Sequence, residues 1–172
     1  MNIIPIHEYL GKNIDEILEV EIEEKYKLDS LDRGNYYKIK KINNSLYTKF
    51  QRSINFHTNS NSVIDRISIR INGEFPIELY KDMCAIYGNP DKILKNDKLV
   101  DSRFTDTDEN GLVSTAYAYS LKECNFNKFP DFIYWKKDNY TIECTMKRSL
   151  YDIKSQTSQV VIRFKSRILS SL

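Results

Sequence analysis

Two stretches of this chain say nearly the same thing. IPIHEYLGKNIDEIL, residues 4–18, reads like FPIELYKDMCAIYGNPDKIL, residues 75–94. Each opens on an apolar residue and Pro-Ile-x-x-Tyr, and each closes on Gly, a short polar run and Ile-Leu. Self-similarity of this kind constrains a fold more than any composition figure, because each copy must be a unit that packs against its neighbour. The resemblance continues downstream. YTKFQRSINFHTNSNSVIDRISIRI, Tyr47 to Ile71, and YTIECTMKRSLYDIKSQTSQVVIRF, Tyr140 to Phe164, have equal length without a gap. Both begin Tyr-Thr and end Ile-Arg plus an apolar residue. The chain therefore divides into two tandem units, residues 1–72 and 73–172, the second carrying an insertion around residues 95–125.

Local patterning fills in each unit. Asn13 is placed to cap a helix, with Glu16 three residues on to return the bond. Ile14, Ile17, Leu18 and Ile22 then share a helical face while Asp15, Glu19, Glu21 and Glu23 face water. Strand-like runs YYKIKKI, LYTKFQRSINF and VIDRISIRI follow, with turns at Asn43-Asn44 and Thr58 to Ser62. In the second unit Pro76 suits a first helical turn. Ile77, Tyr80, Met83, Cys84 and Tyr87 make the apolar stripe, and Gly88 and Pro90 end it. Strands follow at LVDSRF, VSTAYAYSL, DFIYWKK, YTIECTMKRSL and QVVIRFKSRIL, with a hairpin turn at Asp138-Asn139. In VSTAYAYSL the small residues Ser114, Ala116, Ala118 and Ser120 share the face opposite Tyr117 and Tyr119, which favours close packing of a helix there. The expected class is α+β: a helix and an antiparallel meander, given twice, with helices on one face, the two units either sharing one curved sheet or folding as separate halves.

The segments Gly11-Lys12-Asn13-Ile14-Asp15-Glu16-Ile17 and Tyr87-Gly88-Asn89-Pro90-Asp91, set in a doubled helix-plus-meander, resemble the β-lactamase-inhibitor-protein-like superfamily. That resemblance implies a scaffold of two tandem helix-plus-meander units. The chain departs from the secreted members in having no paired cysteines and no lipoprotein leader.

Composition narrows the partner class. With 26 basic and 24 acidic residues the net charge is +2, without the strong basic bias of a dedicated nucleic-acid binder. No basic n-region precedes an apolar run, and no stretch is long enough to span a membrane. Cys84, Cys124 and Cys144 are odd in number and lack CxxC spacing, which points to reduced thiols in a cytoplasmic setting.

Catalytic patterns are thin. DTDENG, Asp106 to Gly111, opens like a calcium loop, but the twelfth position, where a bidentate carboxylate is needed, is Tyr117. Pro130-Asp131 with Glu143-Cys144-Thr145 echoes a Mg²⁺-dependent nuclease pattern, with Thr145 in the lysine's place and Lys147 on the same strand face. His7 and His57 are expected in different layers. No phosphate loop, nucleophile elbow or HExxH motif occurs. YYKIKKINNSLYTKFQR and YWKKDNY interleave basic and aromatic residues as a single-strand-binding sheet would, although a solvated sheet face alternates in the same way.

No cofactor and no metal site is expected. The sequence favours a protein–protein interaction module, an inhibitor or immunity-type protein that occludes an unidentified partner such as a toxin. The alternatives are the Asp131/Glu143 nuclease and the nucleic-acid-binding sheet. Because interface hot spots favour Trp, Tyr and Arg, the candidate docking residues are Tyr117, Tyr119, Tyr134, Trp135 and Arg163.

Overall fold

The structure, a computed structural model, describes residues 5–17, 20–27, 34–42, 46–51, 53–107, 113–148 and 157–167. Nine strands run through these segments: β1 (Val20–Lys27), β2 (Asn35–Ile42), β3 (Ser53–Thr58), β4 (Ile64–Asn72), β5 (Lys92–Thr107), β6 (Val113–Glu123), β7 (Phe132–Lys136), β8 (Tyr140–Arg148) and β9 (Thr157–Ser166). All nine join one antiparallel sheet in the order β1-β2-β3-β4-β9-β8-β7-β5-β6. The two halves of the sequence thus share one continuous sheet, joined where β4 pairs with β9 and Ile69 lies opposite Ile162. The fold is mainly β. Among the described residues it has a single α-helix, α1 (Ile77–Tyr87).

The helix expected after Asn13 is not formed, and the α+β reading is corrected accordingly. Asn13 does cap: its side chain accepts a hydrogen bond from the Asp15 N–H at 3.0 Å. Only one 3-10 turn follows, Ile14–Glu16, and Ile17 is already extended. The backbone here is claimed by the β3–β4 turn. Gly11 N–H donates to the Ile64 carbonyl at 2.8 Å, Ile64 N–H to Lys12 at 2.9 Å, and Ile14 N–H to Ser62 at 3.0 Å. Beyond residue 19 the run VEIEEKYK carries a period-2 alternation that competes with the helical one. Pairing with β2 settles it as a strand. Ile22, expected in the core, is exposed as a result.

The second unit's helix forms where expected, from Ile77, with Gly88 ending it at φ 74°. Its buried stripe is Leu79, Met83 and Tyr87, with Tyr80 and Cys84 at the margin, while Ile77 faces outward. One face of the sheet is covered by α1 and by 3-10 turns at Ile6–Tyr9, Ile14–Glu16 and Leu46–Lys49. Their Ile6, Tyr9, Ile14, Tyr47, Met83 and Tyr87 pack onto Phe56, Ile67, Ile69, Ile142, Ile162 and Phe164 in one apolar cluster. Each such side chain contributes about 1.5–3 kcal/mol on burial, so the contacts between sheet and covering layer dominate the stability.

Trp135 belongs to this layer and not to a docking surface. Its side chain is 0% exposed, and its indole N–H donates to the Gly88 carbonyl at 2.9 Å, closing the C-terminal end of α1. Strand alternation forces the assignment. Ile133 and Trp135 point into the core, so Tyr134 between them points to the opposite face. Over its described residues, Ala118 and Ser120, the small-residue face of β6 is not a helix seat either. The side chains of Ser114 and Ala116 fall outside the described residues. Ala118 is exposed, and the Ser120 hydroxyl accepts from Lys98 N–H at 3.1 Å, filling an irregularity in β5.

His7, half-buried, belongs to this covering layer, stacked on Tyr140 with ring centroids 4.7 Å apart and edge-on to Tyr87 at 5.3 Å. Burial pushes its imidazole below the ordinary value of 6.5, partly opposed by the Glu8 carboxylate. The unfolded chain then takes up a proton near pH 6.5 while the folded chain resists it, so stability falls as pH drops through that range. A thermal-melt series should show a decline in Tm between pH 7 and the carboxylate range that is flatter in His7→Phe. Parallel curves for the two proteins would refute this.

Candidate functional site

Tracing side chains across the register locates everything that points away from the core. Tyr134 lies opposite Glu143, Glu143 opposite Arg163, Arg163 opposite Ser68, Ser68 opposite Asn55, and Asn55 opposite Lys38. Directly paired residues share a face, so this line runs across the second face of the sheet from β7 to β2. No described element packs over it. The same tracing carries Phe132, Leu94, Leu121, Tyr119 and Leu99 onto this face through β7, β5 and β6.

The face divides into three zones. At the β5–β6–β7 end apolar and aromatic side chains stand among polar ones: Leu99 is 54% exposed, Leu121 50% and Tyr119 44%, with Tyr134 and Phe132 half-buried. The same pairing places exposed Lys92 and Glu123 and half-buried Asn96 between them. At the β1–β2 end charges cancel. Lys38 lies 3.1 Å from Glu23 and Lys40 2.6 Å from Glu21, exposed pairs that neutralise the surface while adding little stability.

Between the two lies a basic depression of about 280 Å³, walled by Arg66, Arg70, Arg163, Lys147, His57 and Tyr36. Its floor is Ser68 and Val161, 8% and 4% exposed beneath the long side chains around them. Glu143 approaches Arg163 at 3.9 Å, a long contact between half-exposed partners. The Tyr36 hydroxyl is held above its ordinary pKa by burial, a shift opposed by the nearby Arg70 and Lys38 charges.

Of the candidate docking residues, Tyr119, Tyr134 and Arg163 thus share one face and Trp135 is buried on the other. Tyr117 lies on β6 opposite Ser102, and its side chain falls outside the described residues. Arg66, Arg70, Lys147 and Tyr36 were not singled out from the sequence. The signal was present: Arg66-Ile-Ser-Ile-Arg70 places two arginines on one strand face by the period of 2.

The catalytic alternatives fare differently. Asp131 and Glu143 emerge on opposite faces. Asp131 is 4% exposed on the core side, where its carboxylate accepts from Asn96 N–H at 2.8 Å. Glu143 lies on the uncovered face. The two carboxylates therefore cannot grip one cation, which corrects the nuclease pairing. The DTDENG segment lies largely outside the described residues. Among those described, no three His, Cys, Asp or Glu side chains converge as metal ligands.

His7 in the covering layer and His57 on the opposite face of the sheet do occupy different layers. The three cysteines are free. Burial pushes the Cys144 thiol well above its ordinary pKa and raises that of Cys124, the setting of inert thiols rather than nucleophiles. No helix among the described residues is long and apolar enough to cross a membrane.

A second depression of about 420 Å³ opens beside the start of α1, lined in part by Phe75, Ile77, Phe126, Phe129 and Met146. It lies on the covered side, apart from the residues traced above. Comparisons of the chain with models of known protein families, with curated proteins and with solved structures gave no match.

Proposed function

We propose that the protein is a protein-binding module of the inhibitor or immunity type, and that it docks its partner on the uncovered face of the sheet. The observation that carries this reading is the juxtaposition, on one rigid face, of exposed Tyr119, Leu99 and Leu121 with the arginine-walled depression. Aromatic and arginine side chains are the residues through which protein interfaces gain most of their affinity. An apolar zone beside a charged one gives both desolvation and orientation. Strand pairing and a single packed core hold the face in shape, so little ordering cost falls on binding.

The tandem reading is supported at the junction of the two halves. Aligning Tyr47–Ile71 on Tyr140–Phe164 makes Ile69 and Ile162 counterparts, and these two are paired across the β4–β9 junction. The strand order β1-β2-β3-β4 on one side and β9-β8-β7-β5 on the other is palindromic, with β6 added outside it by the insertion. The ungapped alignment holds across β4 and β9 alone: Ile54 and Cys144 stand opposite Ile69 and Ile162, three residues out of that register, and Tyr47 lies in a 3-10 turn where Tyr140 opens β8.

The test uses quantitative co-purification from the native host with the wild-type chain and with a Tyr119→Asp/Leu121→Asp variant, whose changes are solvent-exposed. The expected result is one protein recovered in stoichiometric amount by the wild type and depleted about tenfold or more by the variant. That protein, repurified, should bind the wild type alone. Equal recovery by both chains would overturn the docking face.

A further inference from the structure

The residues walling the basic depression come in pairs about the β4–β9 junction. Arg70 and Arg163 are counterparts in the aligned halves, as are Arg66 and Gln159 and as are Ser68 and Val161. His57 lies opposite Arg66, and Lys147 lies opposite Gln159. The depression is therefore centred where the two halves of the chain meet, and both halves build it. Its cations are close. Arg66 and Arg70 are four residues apart on one strand face, and Arg163 stands opposite Ser68, diagonal to both. Lys165 stands opposite Arg66. Like charges opposite or diagonal on a sheet oppose one another, and Glu143, 3.9 Å from Arg163, offsets this in part. An anion seated among the cations relieves that repulsion.

Shape and surroundings narrow the anion. At about 280 Å³ the depression has room for one or two carboxylate side chains. Arginine forks match carboxylate geometry bidentately. The basic area is also an island. Toward β1 it meets Glu21 and Glu23, and toward β6 it gives way to Leu99, Tyr119 and Leu121. A nucleic-acid strand needs a groove of positive charge that continues along its backbone. An acidic protein segment with apolar neighbours needs what is present here, a compact cationic seat beside an apolar shelf.

We propose that this depression is the anion seat of the docking face, and that it receives the Asp or Glu side chains of an acidic segment on the partner protein. The proposal rests on the docking reading above. It makes the partner locally acidic, with apolar residues next to its carboxylates, and it assigns Arg70 and Arg163 as the principal recognition pair.

The test measures binding of two fluorescent probes by anisotropy, each at low and at physiological ionic strength. One is a synthetic peptide alternating Glu and Asp around a central Leu-Tyr; the other is an oligo-dT strand of equal charge. The proteins are the wild type, Arg70→Glu/Arg163→Glu and the milder Arg70→Gln/Arg163→Gln, each checked for a wild-type circular dichroism spectrum and melt. The Gln variant keeps the comparison available if the Glu variant misfolds. The expected result is that the wild type binds the peptide more tightly than oligo-dT, and that the double variants lose about tenfold or more in peptide affinity.

Absence of peptide binding to the wild type, or equal binding by wild type and variants, overturns the anion seat. Tighter binding of oligo-dT overturns it in favour of a nucleic-acid site. If the peptide fails while the native partner still distinguishes the wild type from Tyr119→Asp/Leu121→Asp, the seat alone is lost and the docking face stands.

Discussion

Trp135→Ala should cost about 3–5 kcal/mol of stability, the range for removing a large aromatic from a packed core. For a chain of this length that is a fall in Tm on the order of 10 °C. Two effects add. The indole is completely buried, so its removal leaves a cavity among side chains that relax only in part. Its N–H is the hydrogen-bond partner of the Gly88 carbonyl, so the last turn of α1 also loses a satisfied acceptor. Trp135→Phe fills more of the space but cannot restore the bond, and it should fall between the two. The measurement is denaturant unfolding with an unchanged slope. A variant within about 1 kcal/mol of the wild type would mean that the tryptophan is not part of the core.

Gly34→Ala should be the most damaging single methyl in the chain. A glycine-to-alanine change normally adds about 0.4–1 kcal/mol of stability through the unfolded state, provided the native conformation accepts it. Here a Cβ would lie 1.6 Å from the Thr58 carbonyl oxygen and 2.8 Å from its carbon. Gly34 leads directly into β2, and the next residue's N–H donates to the Thr58 hydroxyl at 3.3 Å. The start of β2 would have to separate from the end of β3 to admit the methyl, disturbing the Tyr36–His57 pairing as well. We expect the change to destabilise by about 3 kcal/mol or more, at or above the upper range for overpacking, and hydrogen exchange in β2 to accelerate more than in β8. Equal or greater stability would show that the approach of the two backbones is looser than described.

These two residues also mark what the sequence conveyed and what it did not. β2, β4 and β6 to β9 were legible because alternation, polar turns and β-branched residues agree at each of them. The run LYTKFQRSINF instead opens as the 3-10 turn Leu46–Lys49 before β3, and β5 starts at Lys92, well before the expected LVDSRF. VIDRISIRI and YTIECTMKR leave no competing reading. At Asn13 the local signals conflicted. The cap formed, but helical and strand periodicities overlapped between Ile14 and Tyr26, and the deciding bonds come from Ser62 and Ile64, far away in sequence. Propensity is a weak prior where a neighbouring turn claims the backbone.

Trp135 and Tyr134 were both taken as docking residues because of their type. Their adjacency in a strand already forbade it, since neighbours point to opposite faces. Arg163, Tyr119 and Tyr134 came together on the uncovered face because they obey that same period. The basic depression escaped for a different reason. Its walls come from β2, β3, β4, β8 and β9, and a net charge of +2 averaged over the whole chain hides a local excess of cations.

The central claim is that the partner sits on the face of the sheet opposite α1. Hydroxyl-radical footprinting of the purified complex against the free protein tests it most directly, because it reports the solvent access of individual side chains. With the partner docked there, Tyr119, Leu121, Leu99 and Tyr134 should be protected, with Phe129, Ile77 and Ile86 on the helix side unchanged. Protection of Phe129, Ile77 and Ile86, with Tyr119 and Leu99 as reactive as in the free chain, would contradict it.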